Sequence, residues 1–189
     1  MVLPIVAYGD PVLKKKASAI DKNYPDLEDL ITNMFETMYA SNGVGLAAPQ
    51  VGLSIRLFIV DGHPFEEEEK DIGDFKEVFI NPQMLDEHGA EWKFNEGCLS
   101  IPGVREDVSR NEEIVLEYYD SNWKKHKRTF NGLRARIIQH EYDHIEGVLF
   151  TDRISPFRKR LLKNKLLDIS RGDVDVDYSM RFPAKAKKI

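Results

Sequence analysis

The segment at residues 136–147, RIIQHEYDHIEG, carries two of the chain's five histidines, His140 and His144, with Glu141 beside the first. On an α-helix, residues i and i+4 lie on one face about a turn apart, so both imidazoles can reach a single ion. Glu141, offset by one position, would stand beside that ion rather than on it, placed to handle a proton of a metal-bound water. The plainer alternative is a surface helix with two histidines and a chance glutamate. Against it, Leu133, Ile137, Ile138 and Ile145 mark the helix as a core element. Imidazoles on such a face would be partly buried and would need partners.

Two histidines leave a catalytic site short, because such sites use three protein ligands and one open position. Glu146 is too close on the same helix to wrap round, and no later histidine exists. The remaining candidate of suitable softness is Cys98, the only cysteine, in NEGCLSIPG. A lone buried cysteine is more often inert packing than a ligand. Here Gly97 permits close backbone approach on one side, and SIPG makes a sharp extended turn on the other. A thiolate and two imidazoles with water in the fourth place form a chemically sensible site.

These groups need elements to hold them. DLEDLITNMFETMYA at 26–40 has Leu27, Leu30, Ile31, Met34, Phe35 and Met38 on one helical stripe, with acidic residues early and SNG closing it. IRLFIVD at 55–61, VFINPQM at 78–84 and IVLEYYD at 114–120 read as strands. The last turns through SNWKK into HKRTF as a hairpin. Between the first two, FEEEEKDIGD reads as a solvated loop. NG at 131–132 opens the second helix from Leu133, and Gly147 is its C-cap. FRKRLLKNKLLDIS at 157–170 is helical, and residues 171–189 read as a polar, basic tail. No repeat or linker divides the chain. The expectation is an α+β fold in one domain over 1–189, with small antiparallel or mixed sheets around a central HExxH helix and N- and C-terminal helices.

Composition narrows the partners. A chain of 189 residues can bury one core. A net charge of −5 speaks against DNA or other nucleic acid as the main partner. No apolar run approaches the roughly 18 residues that span a membrane. The N-terminal MVLPIVAYGDPVLKKK puts its apolar part before its charges, the reverse of a secretory signal. One cysteine allows no intrachain disulfide, which fits a reducing, cytoplasmic location.

EGCLS at 96–100, QHEYDH at 139–144 and GVGLAAPQVG at 43–52 together resemble peptide deformylase of the bacterial type. The likeness runs from LPIVAYGDPVLKKKA to beyond the metal helix, most of the chain. It implies Cys98, His140 and His144 as ligands of one divalent ion, Fe2+ in bacterial members, with Zn2+, Ni2+ or Co2+ as substitutes. It implies Glu141 as the catalytic carboxylate, with the Gln50 side-chain amide and the Leu99 N–H binding the carbonyl oxygen. Val44, Gly45, Gly97, Arg105, Arg136 and Ile137 would border the substrate, Arg136 standing where many relatives carry an apolar residue at the methionine pocket. The reaction implied is removal of formyl from N-formylmethionyl nascent peptides by a cytoplasmic monomer. Transient ribosome contact through the Lys-rich C-terminus is a further expectation.

Elementary chemistry agrees with that assignment. A metal lowers the pKa of its water toward neutrality, and Glu141 can take the proton and pass it to the leaving amine. Each oxyanion donor is typically worth about 3 kcal/mol. A thiolate ligand suits ferrous iron as well as zinc, and oxygen would then attack the iron and the Cys98 sulfur. Three rival readings are weaker. GVGLAA with Asp61 mimics a dinucleotide fingerprint, but a helix precedes it, and Pro49 and Gly52 interrupt any helix on its C-terminal side. An HExxH metallopeptidase would leave Cys98 and Gln50 without roles. A structural metal module needs a fourth ligand, and His63, His88 and His126 fall in apparent loops.

Overall fold

A computed structural model describes residues 1–183. In chain order it contains β1 (Ile5–Val6), α1 (Leu27–Ala40), β2 (Gly45–Ala47), β3 (Leu57–Asp61), β4 (Lys76–Cys98), β5 (Ile101–Tyr119), β6 (Lys125–Asn131), α2 (Gly132–Ile145), α3 (Pro156–Arg171) and β7 (Met180–Arg181). Strands β2-β3-β4-β5-β6 form one antiparallel sheet in that order, and β1 pairs with β7 in parallel. The expected α+β arrangement, with helices at both ends and the histidine helix central, is borne out.

Strand β3 shows why the sheet sits where it does. All five of its residues are buried, and successive side chains point to opposite faces. Phe58 and Val60 join Phe79, Tyr118 and Phe130 against Ile137, Ile138 and Ile145 of α2. Leu57 and Ile59 face Ile31, Met34 and Met38 of α1 on the other side. The Met34 and Met38 stripe is therefore core packing. Strand β5 alternates strictly in its first half, with Val104, Glu106, Val108 and Arg110 inward. Two of those inward positions are charged, which a simple apolar core would not require.

Helix α2 begins at Gly132, whose φ of +57° is a left-handed conformation that glycine adopts without a Cβ clash. Its first turn has no local cap. The Leu133 N–H instead donates to Glu69 Oε2 at 2.8 Å. The acidic run is thus not wholly a solvated loop: Glu66–Glu68 are exposed, but Glu69 caps the helix from outside, where an anion meets the positive end of the dipole. At the far end Gly147, with φ +74°, closes α2 as expected, and Val148 N donates to Asp143 O at 2.9 Å.

Two expectations differ in detail, and a third falls outside the described residues. Residues 171–183 are not simply a tail, since Met180 and Arg181 pair with Ile5 and Val6. Ile5 N donates to Ser179 O and Ala7 N to Arg181 O, both at 2.9 Å. A two-residue strand whose partner lies at the other end of the sequence leaves no local period to read. His88 lies within β4 and His126 within β6, while His63 opens a short 3-10 turn. The Lys-rich segment 184–189, expected to touch the ribosome, lies outside the described residues.

If Glu69 caps α2, replacing it with alanine should lower stability by about 1 kcal/mol, or ~2–4 °C in the thermal midpoint. A calorimetric midpoint equal to the parent's would show that the contact contributes nothing.

Candidate active site

Three pieces of chain meet at the centre of the fold. Helix α2 brings His140, Glu141 and His144. The turn joining β4 to β5, in which Cys98 pairs with Ile101, brings Cys98 and Leu99. The 3-10 turn after β2, Ala48–Val51, brings Gln50. One donor atom from each of Cys98, His140 and His144 falls in a group within 4.8 Å of one another. Cys98 Sγ lies 3.3 Å from His144 Nε2. Ligands about 2.0–2.3 Å from a tetrahedral ion are themselves separated by roughly 3.5 Å, so the set fits one cation with little adjustment.

The electrostatics fit as well. Burial and the neighbouring charge of His140 push His144 well below its ordinary value, keeping it in the neutral, ligating form. For His140 burial acts downward, but contacts with Cys98 and Glu96 win and raise it. The metal-free site therefore holds a proton that a cation would release. His140 Nδ1 lies 3.0 Å from Glu96 Oε2, which would leave its Nε2 for an ion, an arrangement of carboxylate and histidine common in metal sites.

Glu96 is 5% exposed and heavily paired. Arg110 reaches it through Nε at 2.7 Å and Nη2 at 2.9 Å, and Arg136 through Nη1 at 3.0 Å. Burial would raise its pKa, yet the Arg110 and His140 bonds hold the carboxyl well below the usual range. Arg110 also bonds Asp143 at 2.8 Å, and Asp143 takes two bonds of 2.6 Å from Arg153. Charges thus alternate from Arg136 through Glu96, Arg110 and Asp143 to Arg153.

Glu141 is 4% exposed, and its Oε2 has no hydrogen-bond partner among the described residues. Burial is the main cause pushing its pKa up to about 7; Glu96 adds to the rise and His140 opposes it. Gly45 stands against it so closely that a Cβ there would lie 2.5 Å from Glu141 Oε1. Gln50 Oε1 accepts from Ala47 N at 2.9 Å, which turns its amide nitrogen toward Cys98 Sγ (3.4 Å) and Ser100 Oγ (3.3 Å). The Leu99 N–H has no acceptor among the described residues.

Of the twelve residues expected at the site, all but the fully enclosed His144 line one cleft of about 1020 Å³. Val44, Gly45 and Gln50 form one side, Gly97, Cys98, Leu99 and Arg105 another, and Arg136, Ile137, His140 and Glu141 the floor. Arg136 borders the cleft as expected, with its head group held by the protein. Its guanidinium is occupied by Glu96, the Val108 and Trp92 carbonyls, and the Trp92 ring 4.3 Å away. A buried cation needs such partners, and both of its terminal nitrogens are taken up by them. Several residues escaped the sequence reading. Glu96 carried a signal, standing two positions before Cys98 on the same strand face. Arg110, Asp143, Phe65, Phe94 and Tyr178 carried none, because only tertiary contacts bring them here.

Comparisons with known proteins point one way. The sequence profile of the family described as polypeptide deformylase matches residues 2–160. A peptide deformylase of Christiangramia forsetii is 61% identical, covering 100% of this chain and 99% of its own. One from Flavobacterium psychrophilum is 57% identical over 99% and 100%. The crystal structure of a peptide deformylase from Legionella pneumophila superposes with a TM-score of 0.78 at 37% identity, covering 92% of this chain and 98% of that one.

The raised carboxyl has a consequence for stability. Without metal, Glu141 is protonated in both folded and unfolded chains below 4.5, and its burial penalty appears as pH rises toward about 7. Metal-free Glu141→Gln should therefore match the parent at low pH and exceed it by on the order of 2 kcal/mol above neutrality in urea unfolding. A gap that does not change with pH would contradict the burial.

Proposed function

The chain belongs to the peptide deformylase family, and we propose that Cys98, His140 and His144 hold one divalent metal ion for this reaction, with Glu141 as the proton-transfer group. The enzyme is a metal-dependent hydrolase that removes the formyl group from nascent polypeptides. The observation that carries the residue assignment is the trio of half-buried Cys98 and His140 with buried His144, beside an unpartnered Glu141 oxygen in the cleft. A metal held there supplies Lewis acidity and a water that ionises near neutral pH.

The chain's own groups do the rest. Glu141 Oε2 takes a proton from the attacking water and returns it to the amine nitrogen as the formyl C–N bond breaks, so formate and a free N-terminus leave. A carboxyl poised near neutrality is suited to both directions of transfer. Negative charge developing on the formyl oxygen is met by Gln50 Nε2 and the Leu99 N–H. The methionine side chain enters the apolar part of the cleft formed by Val44, Ile137 and Leu133. Backbone at 43–45 and 97–101 pairs with the peptide as added strands, with Arg105 at the rim.

The mixed thiolate and imidazole donors suit Fe2+ as the working ion, with Zn2+, Ni2+ or Co2+ able to substitute. We read the whole chain, 1–189, as one catalytic domain, acting as a cytoplasmic monomer with transient ribosome contact. No helix among the described residues is long and apolar enough to cross a membrane.

An anaerobic assay on formyl-Met-Ala-Ser with Fe2+-loaded protein should release formate and leave internal peptide bonds intact. Glu141→Ala should bind metal but release none. Gly45→Ala, by displacing the carboxylate, should lose roughly 100-fold in rate with metal content unchanged. Peptide-bond cleavage, or formate release by Glu141→Ala at the parent's rate, would overturn the assignment.

A further inference from the structure

Residues 173–181 fall beyond the span matched by the family profile, which ends at residue 160, yet they reach the catalytic cleft. The segment leaves α3 and runs past the β4–β5 turn to β7, where pairing with β1 anchors it. On the way, Tyr178 packs into the apolar cluster around α1 and lines the cleft. Its hydroxyl donates to the Leu99 carbonyl at 2.7 Å. The next carbonyl, that of Ser100, accepts from Tyr8 N at 2.8 Å, just after β1. Two consecutive peptide groups of the turn are therefore held from outside by the segments that flank one small parallel sheet. Between them and Cys98 lies the Leu99 N–H, without a protein acceptor among the described residues.

We propose that Tyr178 is a positioning residue for the reaction: by fixing the Leu99 carbonyl it orients the Leu99 N–H toward the formyl oxygen. This rests on the assignment of Leu99 as an oxyanion donor. A two-residue turn has few internal restraints, and its own backbone cannot supply the missing one, because Cys98 and Ile101 already close the hairpin. The oxyanion donor works only when its direction is set before the charge develops. The contact belongs to the transition state rather than to substrate binding, since the formyl oxygen draws most from the donor when it carries negative charge.

Tyr178→Phe removes one oxygen and keeps the ring in its packing. On formyl-Met-Ala-Ser it should lower kcat about five- to tenfold, the worth of roughly one hydrogen bond, with KM within about twofold of the parent's. Inhibition by the deformylated product, Met-Ala-Ser, which has no formyl oxygen, should be unchanged, as should metal content. Combined with Gln50→Ala, the loss in kcat should differ from the product of the two separate losses, because both residues act on one oxygen. An unchanged kcat would overturn the proposal. So would product binding and thermal midpoint falling in step with kcat, since that pattern marks a structural role. Tyr178→Leu, which also removes the ring, gives the size of that packing effect. If the parent itself releases no formate, the deformylase reading falls first and this inference with it.

Discussion

A carboxylate taken out of water must be matched by cations or the fold does not form, and Glu96 is the place where this molecule meets that demand. Removing a single partner from such a group typically costs about 3–5 kcal/mol, because an unpaired charge stays behind. Glu96 is answered by Arg110 from β5 and by Arg136 and His140 from α2. Its own strand carries Cys98 two positions on, so one ionic knot sets the thiol against the imidazoles. Asp143 and Arg153 continue the alternation, and α2 is thereby held by charge on the side turned from the apolar cluster. The inward-facing Glu106 of β5, bonded by Arg158 of α3, repeats the device on a smaller scale.

This explains what could be read in advance. The two helices with clear 3.6-residue stripes, the hairpin through SNWKK and the glycine stop after α2 all rest on local rules, and each appears where expected. His140, Glu141 and His144 were legible for the same reason, since their spacing is a helical property. Cys98 was weaker from its residue type alone and gained weight from the family likeness. What stayed hidden depends on residues far apart in sequence. The Glu69 cap, the β1–β7 pairing and the Tyr178 hydroxyl each join segments more than sixty positions apart. No periodicity announces such contacts. The arginine at 136 shows another case, a residue singled out in the sequence whose partner Glu96, forty positions away, could not be.

Glycine acts here by absence. At Gly45 a single methyl would occupy the space of a Glu141 oxygen, and at Gly43 it would press on Leu99 Cδ1 at 3.0 Å and Met38 Cγ at 3.2 Å. The chain around the start of β2 can lie against the Glu141 carboxylate and Leu99 only because those positions lack side chains. The same nearness excludes water from Glu141, and that exclusion lifts its proton affinity. One packing constraint thus governs both the shape of the cleft and the acidity of the group at its floor.

The small β1–β7 sheet has a temporal meaning as well as a spatial one. A ribosome delivers Ile5 and Val6 early and Met180 and Arg181 only after the long hairpin, α2 and α3 have been made. Until residue 178 has been made, the turn bearing Leu99 must do without the Tyr178 hydroxyl. An enzyme whose substrates are growing chains is, while growing itself, not yet fully assembled. The restraint on the Leu99 turn arrives only after α3 has been made, when β7 returns to β1.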